Sequence, residues 1–140
     1  MTQLYSSNLE KVKFLAKQEA TKLRHEFVTA EHLLLGLLAL KDCQAALFLR
    51  RKGQTYTKVR QKLAQLLGRG QTKVDDPPRS LRNIMLFHSA EDFAQAYKKP
   101  IGTLHLLWAI LESEASEAAQ VLVEDEDEAK RWRGDIEDLL

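Results

Sequence analysis

The chain has 140 residues, of which 44% are hydrophobic and 29% are charged, with a formal net charge of +1. This length and balance suit one domain with its own core, and they exclude a disordered or fibrous chain. The longest apolar run, residues 33–40, is too short to span a bilayer. Cys43 is the only cysteine, which excludes an internal disulfide and a thiolate-rich metal site and favours a reducing, cytoplasm-like compartment.

The small net charge conceals two oppositely charged regions. From Arg50 to Arg82 there are ten Lys and Arg residues against two acids, a local balance of +8, whereas residues 112–140 carry eleven acids against three bases, a balance of −8. Such a dipolar surface suits protein partners better than nucleic acid, which usually selects for an excess of positive charge. The alternative is that both regions are solvated faces of ordinary helices.

Four helices are predicted in the first half of the chain. The first has one apolar stripe at steps of three and four after the possible caps Ser6 and Ser7, and the second begins after Thr29. The third covers residues 43–52 and stops at Gly53, and the fourth runs from near Thr57 to Gly68. The polar segment 68–79, rich in Gly and Pro, is predicted to be a linker.

The second half repeats this plan. A shift of 73 positions without a gap places His32 on His105, Phe14 on Phe87 and Leu38 on Leu111. The sequence therefore predicts an all-α fold, in which two tandem four-helix repeats pack as one pseudo-twofold domain over residues 1–140. The first repeat covers about 7–68 and the second about 80–140. The two should share one core, because a unit of about 60 residues buries too little surface alone.

Two segments resemble the Clp repeats of the N-terminal domain of ClpA/ClpC-type AAA+ unfoldases. RHEFVTAEHLLLGLL (24–38) is similar to the first repeat, and HSAEDFAQAYKKPIGTLHLLWAIL (88–111) is similar to the second. The resemblance implies a non-enzymatic domain that binds adaptors such as ClpS, or tagged clients, for the Clp ATPase and protease in protein quality control. It implies no cofactor and a location in the cytoplasm or, for a plastid accessory subunit, in the stroma.

The resemblance also implies candidate partner-binding residues. Glu31 matches an acidic position that contacts phosphoarginine or adaptor groups in relatives, and an exposed carboxylate there can accept a bidentate guanidinium pair. The alternative is that Glu31 only offsets the helix dipole. Glu26 matches an acidic position near the adaptor surface, although a loop glutamate is often merely solvated. Leu104 stands where the phosphoarginine-binding type has a second Glu, which argues against a symmetric pair of phosphoarginine sites.

Three further expectations concern basic residues, histidines and catalysis. Arg79 and Arg82, beside the linker, are predicted to receive acidic adaptor residues or phosphate. His32 and His105 are predicted to be core residues bonded to backbone rather than metal ligands, and His25 is expected to add nothing. No nucleophile, base and orienting residue form a pattern, so no catalytic residue is predicted. A nucleic-acid-binding helical protein that uses residues 50–82 remains the alternative function.

Overall fold

The computed structural model describes residues 7–70, 73–112 and 117–140. Within these ranges the chain forms eight helices: α1 (Ser7–Lys22), α2 (Ala30–Ala39), α3 (Gln44–Arg51), α4 (Tyr56–Leu67), α5 (Leu81–Ala96), α6 (Thr103–Glu112), α7 (Glu117–Leu122) and α8 (Glu126–Leu139). The described ranges contain no strand, and one isolated bridge joins Val28 to Arg79. The all-α prediction is confirmed. Ser6, a predicted cap, lies outside the described residues.

The two most apolar helices, α2 and α6, form the centre of the domain. All residues from Ala30 to Leu38 are buried, and so is most of α6. Their sequences, AEHLLLGLLA and TLHLLWAILE, are apolar on nearly every side, which is typical of a helix enclosed by others. Helix α1 covers α2, and α5 covers α6.

The two halves interlock through reciprocal contacts. Helix α3 of the first half packs on α6, and α7 of the second half packs on α2. The Ala45 backbone N–H donates to Thr103 Oγ1 at 3.2 Å, and Gln54 Nε2 donates to the Leu122 carbonyl at 3.2 Å. Reciprocal contacts of this kind follow from a pseudo-twofold pairing of two four-helix units, so the predicted fold class is confirmed.

The predicted glycine stops are also confirmed. Gly53 (φ 82°) follows α3, and Gly68 (φ 69°) follows the last residue of α4; both lie in the left-handed region that glycine adopts without a steric penalty. Helix α8 begins inside a run of five acidic residues, 124–128, where Asp125 caps it by accepting the Glu128 backbone N–H at 2.9 Å. Three residues of the acidic run therefore lie in its first turn, where they offset the helix dipole.

The ungapped shift of 73 positions holds for α2 and α6 but is wrong for α1 and α5. The first and last residues of α6 follow those of α2 by 73 positions. The first and last residues of α5 follow those of α1 by 74 positions. The turns that follow agree, since Arg24 and Lys98 have positive φ angles of 59° and 55°. The loop between α5 and α6 is therefore one residue shorter than the loop between α1 and α2.

This single-residue difference changes which side chains are buried. A shift of one position turns a helical side chain by about 100°, from the core to the surface or the reverse. The predicted pairing of Phe14 with Phe87 is wrong, because Phe14 is 63% exposed and Phe87 only 2%. The buried residues Val12 and Ala16 of α1 correspond instead to the buried Leu86 and Ala90 of α5.

We propose that the repeats are bounded as the sequence predicts, at 7–68 and 80–140 with a linker over 68–79, inside one domain of 140 residues. The end of α4 at Leu67 and the start of α5 at Leu81 support these bounds. Two linker residues, Gln71 and Thr72, lie outside the described part of the chain.

None of the described helices is by itself long and apolar enough to cross a membrane. Helices α2 and α3 reach the necessary length only when they are joined, and the pair is bent by 91° at its junction.

Candidate functional site: the groove between the first loop and the linker

The linker crosses the loop between α1 and α2, and main-chain hydrogen bonds fix the crossing. The Val28 N–H donates to the Pro78 carbonyl at 2.8 Å, and the Ser80 N–H donates to the Val28 carbonyl at 3.0 Å. This short bridge places residues 26–31 beside residues 78–83. Two segments that are about fifty positions apart in sequence therefore form one surface.

Asn83, in the first turn of α5, stabilises this crossing by hydrogen bonds to the loop and to Arg79. Only 1% of Asn83 is exposed, and its Nδ2 donates to the Val28 carbonyl at 3.0 Å. Its Oδ1 accepts a hydrogen bond from Arg79 Nε at 2.8 Å. Because Nδ2 faces a carbonyl and Oδ1 faces a donor, the network defines the orientation of the amide. Asn83 therefore holds both the loop and the Arg79 side chain.

Two cations converge on the ring of Phe87. The Arg79 guanidinium carbon lies 4.7 Å from the ring centroid, and Lys13 Nζ lies 4.9 Å from it. Both distances fall in the range in which a cation is attracted to an aromatic face. Phe87 thus provides an aromatic support for positive charge where α1 and α5 approach each other.

A groove of about 440 Å³ lies over these residues, between α1, the segment 76–79 and α5. We call it the junction groove; its lining includes Lys13, Phe14, Lys17, Val28, Asp76, Arg79 and Asn83. Lys17 Nζ binds Asp76 at 2.6 Å across one wall. The groove therefore combines an exposed aromatic ring, an apolar floor at Val28, and three cations beside two carboxylates, those of Glu10 and Asp76.

The four predicted site residues do not share one surface. Glu26 is exposed on the loop, and Arg79 lines the junction groove. Arg82 lines a different groove of about 470 Å³, between α5 and α6, where Leu81 and Met85 are 73% and 57% exposed. Glu31 is only 8% exposed, so the expectation of an exposed carboxylate there is wrong. Its position in the first turn of the buried helix α2 explains this, since that helix is enclosed on nearly all sides.

The histidines of the first repeat form a hydrogen-bonded relay. The Thr29 backbone N–H donates to His32 Nδ1 at 2.9 Å, which leaves the His32 proton on Nε2. That proton is donated to His25 Nδ1 at 2.8 Å, and His25 Nε2 donates to the Gly68 carbonyl at 2.8 Å. The prediction of a backbone-bonded core histidine is confirmed for His32, but the expectation that His25 adds nothing is wrong.

Burial, with a smaller contribution from the neighbouring His25, lowers the pKa of His32 to about 4. His105 is also a backbone-bonded core residue, since the Gly102 N–H donates to its Nδ1 at 2.8 Å. Its pKa is lowered by burial and by Lys99, against the effect of the Gly102 bond. Both histidines therefore serve as neutral caps of their helices. Among the described residues no group of His, Cys, Asp and Glu is arranged to hold a metal ion.

Sequence reasoning missed Asn83, Lys13 and Phe87. A repeat alignment with a one-residue gap in the second loop pairs Phe87 with Lys13, so it gives no signal that Phe87 is buried. No pattern in the sequence indicates that Asn83 bonds to Val28, because that contact depends on the path of the linker.

Comparisons with known proteins agree with this architecture. Residues 4–138 match the family model of the Clp repeat (R) N-terminal domain. A probable ATP-dependent Clp protease ATP-binding subunit of Chlamydia pneumoniae is 37% identical over 125 residues, which cover 87% of this chain but only 15% of that protein. Thus the chain spans a small part of the length of this relative.

Two solved structures share the fold. The N-terminal domain of the chaperone ClpD from Arabidopsis thaliana has a TM-score of 0.74 at 18% identity, covering 94% of this chain and 92% of that one. A ClpV N-domain in complex with a VipB peptide has a TM-score of 0.72 at 20% identity, covering 96% and 86%. The family match over nearly all of its length shows that this chain belongs to the Clp repeat N-terminal domain family.

Proposed function

We propose that this domain binds adaptors or substrates for a Clp-type ATPase and protease, and that the junction groove takes part in the binding. The observation that carries the proposal is a groove with an oriented arginine, in a member of the Clp repeat family. The groove of about 440 Å³ lies within the size range of protein binding sites and has an apolar floor with a few placed polar groups.

The related ClpV N-domain binds a peptide, which supports a protein partner for the present chain as well. Within this role we propose a ClpS-like adaptor or a tagged client as the occupant. Glu26 and Arg79 offer opposite charges on the two segments that the Val28 bridge brings together. Charges at the edge of an interface chiefly set the rate of association and the choice of partner.

Glu31 and Arg82 have secondary roles in this proposal. Glu31 is 8% exposed, so it contacts a partner only through the edge of its carboxylate or after local movement. Arg82 contributes from the neighbouring groove between α5 and α6. Leu104 is 2% exposed and uncharged, so the second repeat offers no guanidinium-binding carboxylate at that position. We therefore propose at most one phosphoarginine site, near Glu31.

The proposed role contains no catalytic step and no cofactor, and ATP hydrolysis belongs to the ATPase with which the domain works. The buried Cys43 and the bacterial relative support a reducing compartment such as a bacterial cytosol or a plastid stroma.

The test is affinity capture on the immobilised domain, followed by degradation assays. Wild-type domain is compared with a Glu26→Lys, Arg79→Glu double variant, and captured proteins are quantified by mass spectrometry. Some proteins should be retained by the wild-type domain and lost by the variant. We expect these proteins to be adaptors, or to be degraded by Clp protease in an ATP-dependent manner.

The matched control is Arg51→Gln, which removes an exposed charge from α3, far in sequence from either segment of the groove. Retention that depends equally on Arg51 would indicate unspecific electrostatic binding. Retention of nucleic acid, lost in salt, would favour the alternative function instead. If no captured protein were an adaptor or a Clp substrate, the proposal would be wrong.

A further inference from the structure

We infer that the junction groove recognises an acidic residue, next to an apolar one, in a partner peptide, and that Arg79 is the recognising group, held in position by Asn83 and Phe87. This inference rests on the proposed function and names the class of partner.

The Arg79 guanidinium is fixed on one edge and supported on the ring below. Its Nε donates to the buried Asn83 Oδ1 at 2.8 Å, and its carbon lies 4.7 Å from the Phe87 centroid. Asn83 cannot turn freely, because its Nδ2 donates to the Val28 carbonyl. No carboxylate or carbonyl of the described residues binds the terminal amino groups of Arg79. These two groups form the fork that binds a carboxylate in a bidentate pair.

The charge balance of the groove favours the same ligand. Lys17 is paired with Asp76 at 2.6 Å, and Lys13 lies 3.6 Å from Glu10. The partners of Arg79, in contrast, are a neutral amide and an aromatic ring. Arg79 is thus the groove cation that forms no ion pair with an acid of the described residues. Because its orientation is already set, a carboxylate that binds it causes little loss of side-chain entropy.

The groove surfaces beside Arg79 explain why the partner peptide should carry an apolar residue next to the acidic one. Phe14 is 63% exposed on the rim, and the buried side chains of Val28 and Leu33 lie at the floor. An exposed aromatic ring over an apolar floor gains free energy when an apolar side chain covers it. An acidic residue on Arg79 would place its neighbour in the peptide against this surface.

The experiment uses three short fluorescein-labelled peptides that are identical except for a central Leu-Phe-Glu, Leu-Phe-Gln or Leu-Phe-Lys. Binding to the whole domain is measured by fluorescence anisotropy, and the bound region by chemical-shift changes in ¹⁵N NMR spectra. We expect the Glu peptide to bind about tenfold or more tightly than the Gln peptide, the difference expected for one charge-assisted pair. The Lys peptide should bind most weakly, and shifts should centre on Phe14, Val28 and Arg79.

Variants separate recognition from general charge and from folding. Arg79→Gln should abolish the preference for the Glu peptide, and Arg79→Lys, which keeps the charge without the fork, should restore only part of it. Asn83→Ala should reduce binding of the Glu peptide while leaving the Gln peptide nearly unchanged, whereas a purely structural role would weaken both. Arg51→Gln, on α3, should retain wild-type preference. Circular dichroism melting confirms that each variant is folded.

Equal binding of the Glu and Gln peptides, an equal loss with Arg51→Gln, or no binding of any peptide would overturn the inference. Preferred binding of the Gln or Lys peptide in the groove would overturn it too, yet would leave the recognition function standing. The recognition function is judged separately, by whether the captured proteins are adaptors or Clp substrates.

Discussion

The loops after α1 and α5 have the same backbone turn and different side-chain chemistry. The backbone N–H of His25 donates to Ala20, and that of Lys99 donates to Ala94 in the equivalent turn. The His25 ring then reaches the Gly68 carbonyl at the end of α4, and the Lys99 ammonium reaches the Leu140 carbonyl at the end of α8. Both repeats therefore link this loop to their last helix, and in the first repeat the linking side chain is also hydrogen-bonded to a second histidine, His32.

The helices beneath these loops differ in the same way. In the first repeat the buried Glu19 accepts a hydrogen bond from Tyr56 and lies 3.4 Å from Arg60. At the equivalent position of α5 the second repeat has Phe93, which stacks on Trp108 with centroids 4.0 Å apart. The first repeat is stabilised here by the buried Glu19 and its partners, and the second by the stacked pair of Phe93 and Trp108. The stability of the two repeats should therefore respond differently to pH and to substitution.

The largest expected effect is a loss of stability in acid that arises from His32. Its pKa in the folded protein is about 4, below the ordinary value of 6.5. As pH falls, the unfolded chain therefore binds a proton at this residue before the folded chain does. The contribution of His32 is complete above pH 6.5 and disappears as pH falls to about 4, an effect of up to about 3 kcal/mol. Denaturant unfolding between pH 7 and 4 measures it, and His32→Gln should flatten the curve in this window.

Gly36→Ala should destabilise the first repeat by roughly 1–3 kcal/mol, the usual range for overpacking. A Cβ at Gly36 would lie 2.7 Å from the Val12 carbonyl oxygen, so α1 and α2 would have to separate. The second repeat has Ala109 at the equivalent position of α6, which makes Ala109→Gly the matched control. That change should cost about 1 kcal/mol through helix propensity alone. If urea unfolding showed an equal loss of stability for Gly36→Ala and Ala109→Gly, the close approach of α1 to α2 would not contribute to stability.

Tyr56→Phe should cost about 1–2 kcal/mol, because the buried Glu19 loses the Tyr56 donor and, among the described residues, keeps Arg60 alone as a side-chain partner. Burial, together with the bond to Glu19, raises the Tyr56 pKa to about 12. Ultraviolet titration of the phenol therefore provides a second readout, which Glu19→Gln should move back toward 10. A wild-type tyrosine titration without any high-pH component would contradict this arrangement.

The smallest expected effect is that of His25→Lys, which gives the first repeat the residue of the second. Lysine can still reach the Gly68 carbonyl, but it leaves the His32 Nε2 proton without its acceptor. We expect a loss of about 1 kcal/mol. Thermal melts at pH 7 measure it, and Lys99→His is the reciprocal control, expected to be near neutral or stabilising because His105 Nε2 has no hydrogen-bond partner among the described residues.

The repeat and its helices could be predicted from sequence because apolar spacing, capping residues and glycines are local signals. His32 and His105, Gly53 and Gly68 all have the predicted roles. The register of α1 against α5 could not be predicted, since apolar residues at adjacent positions, such as Leu86 and Phe87, match α1 nearly as well with a gap as without one. The burial of Glu31 could not be predicted, because charged residues usually lie outside the core.

The site was only partly predictable. Arg79 is predicted as a partner-binding residue from its place beside the linker, and that role stays a prediction. Its contacts with Asn83 and Phe87 could not be predicted, because they form only where the linker crosses the first loop. Glu26 is exposed as a partner-binding residue requires, and its role stays a prediction.

Site-specific photo-crosslinking tests most directly whether partners bind at the junction groove. A photoreactive phenylalanine analogue replaces Phe14 on the groove rim in one sample, and Leu66, 59% exposed on α4, in the other. We predict that adaptors or Clp substrates crosslink strongly from position 14, weakly from position 66, and no longer from position 14 when Arg79 is changed to Glu. Equal crosslinking from both positions, or crosslinking at position 14 that ignores Arg79, would contradict a partner site in this groove.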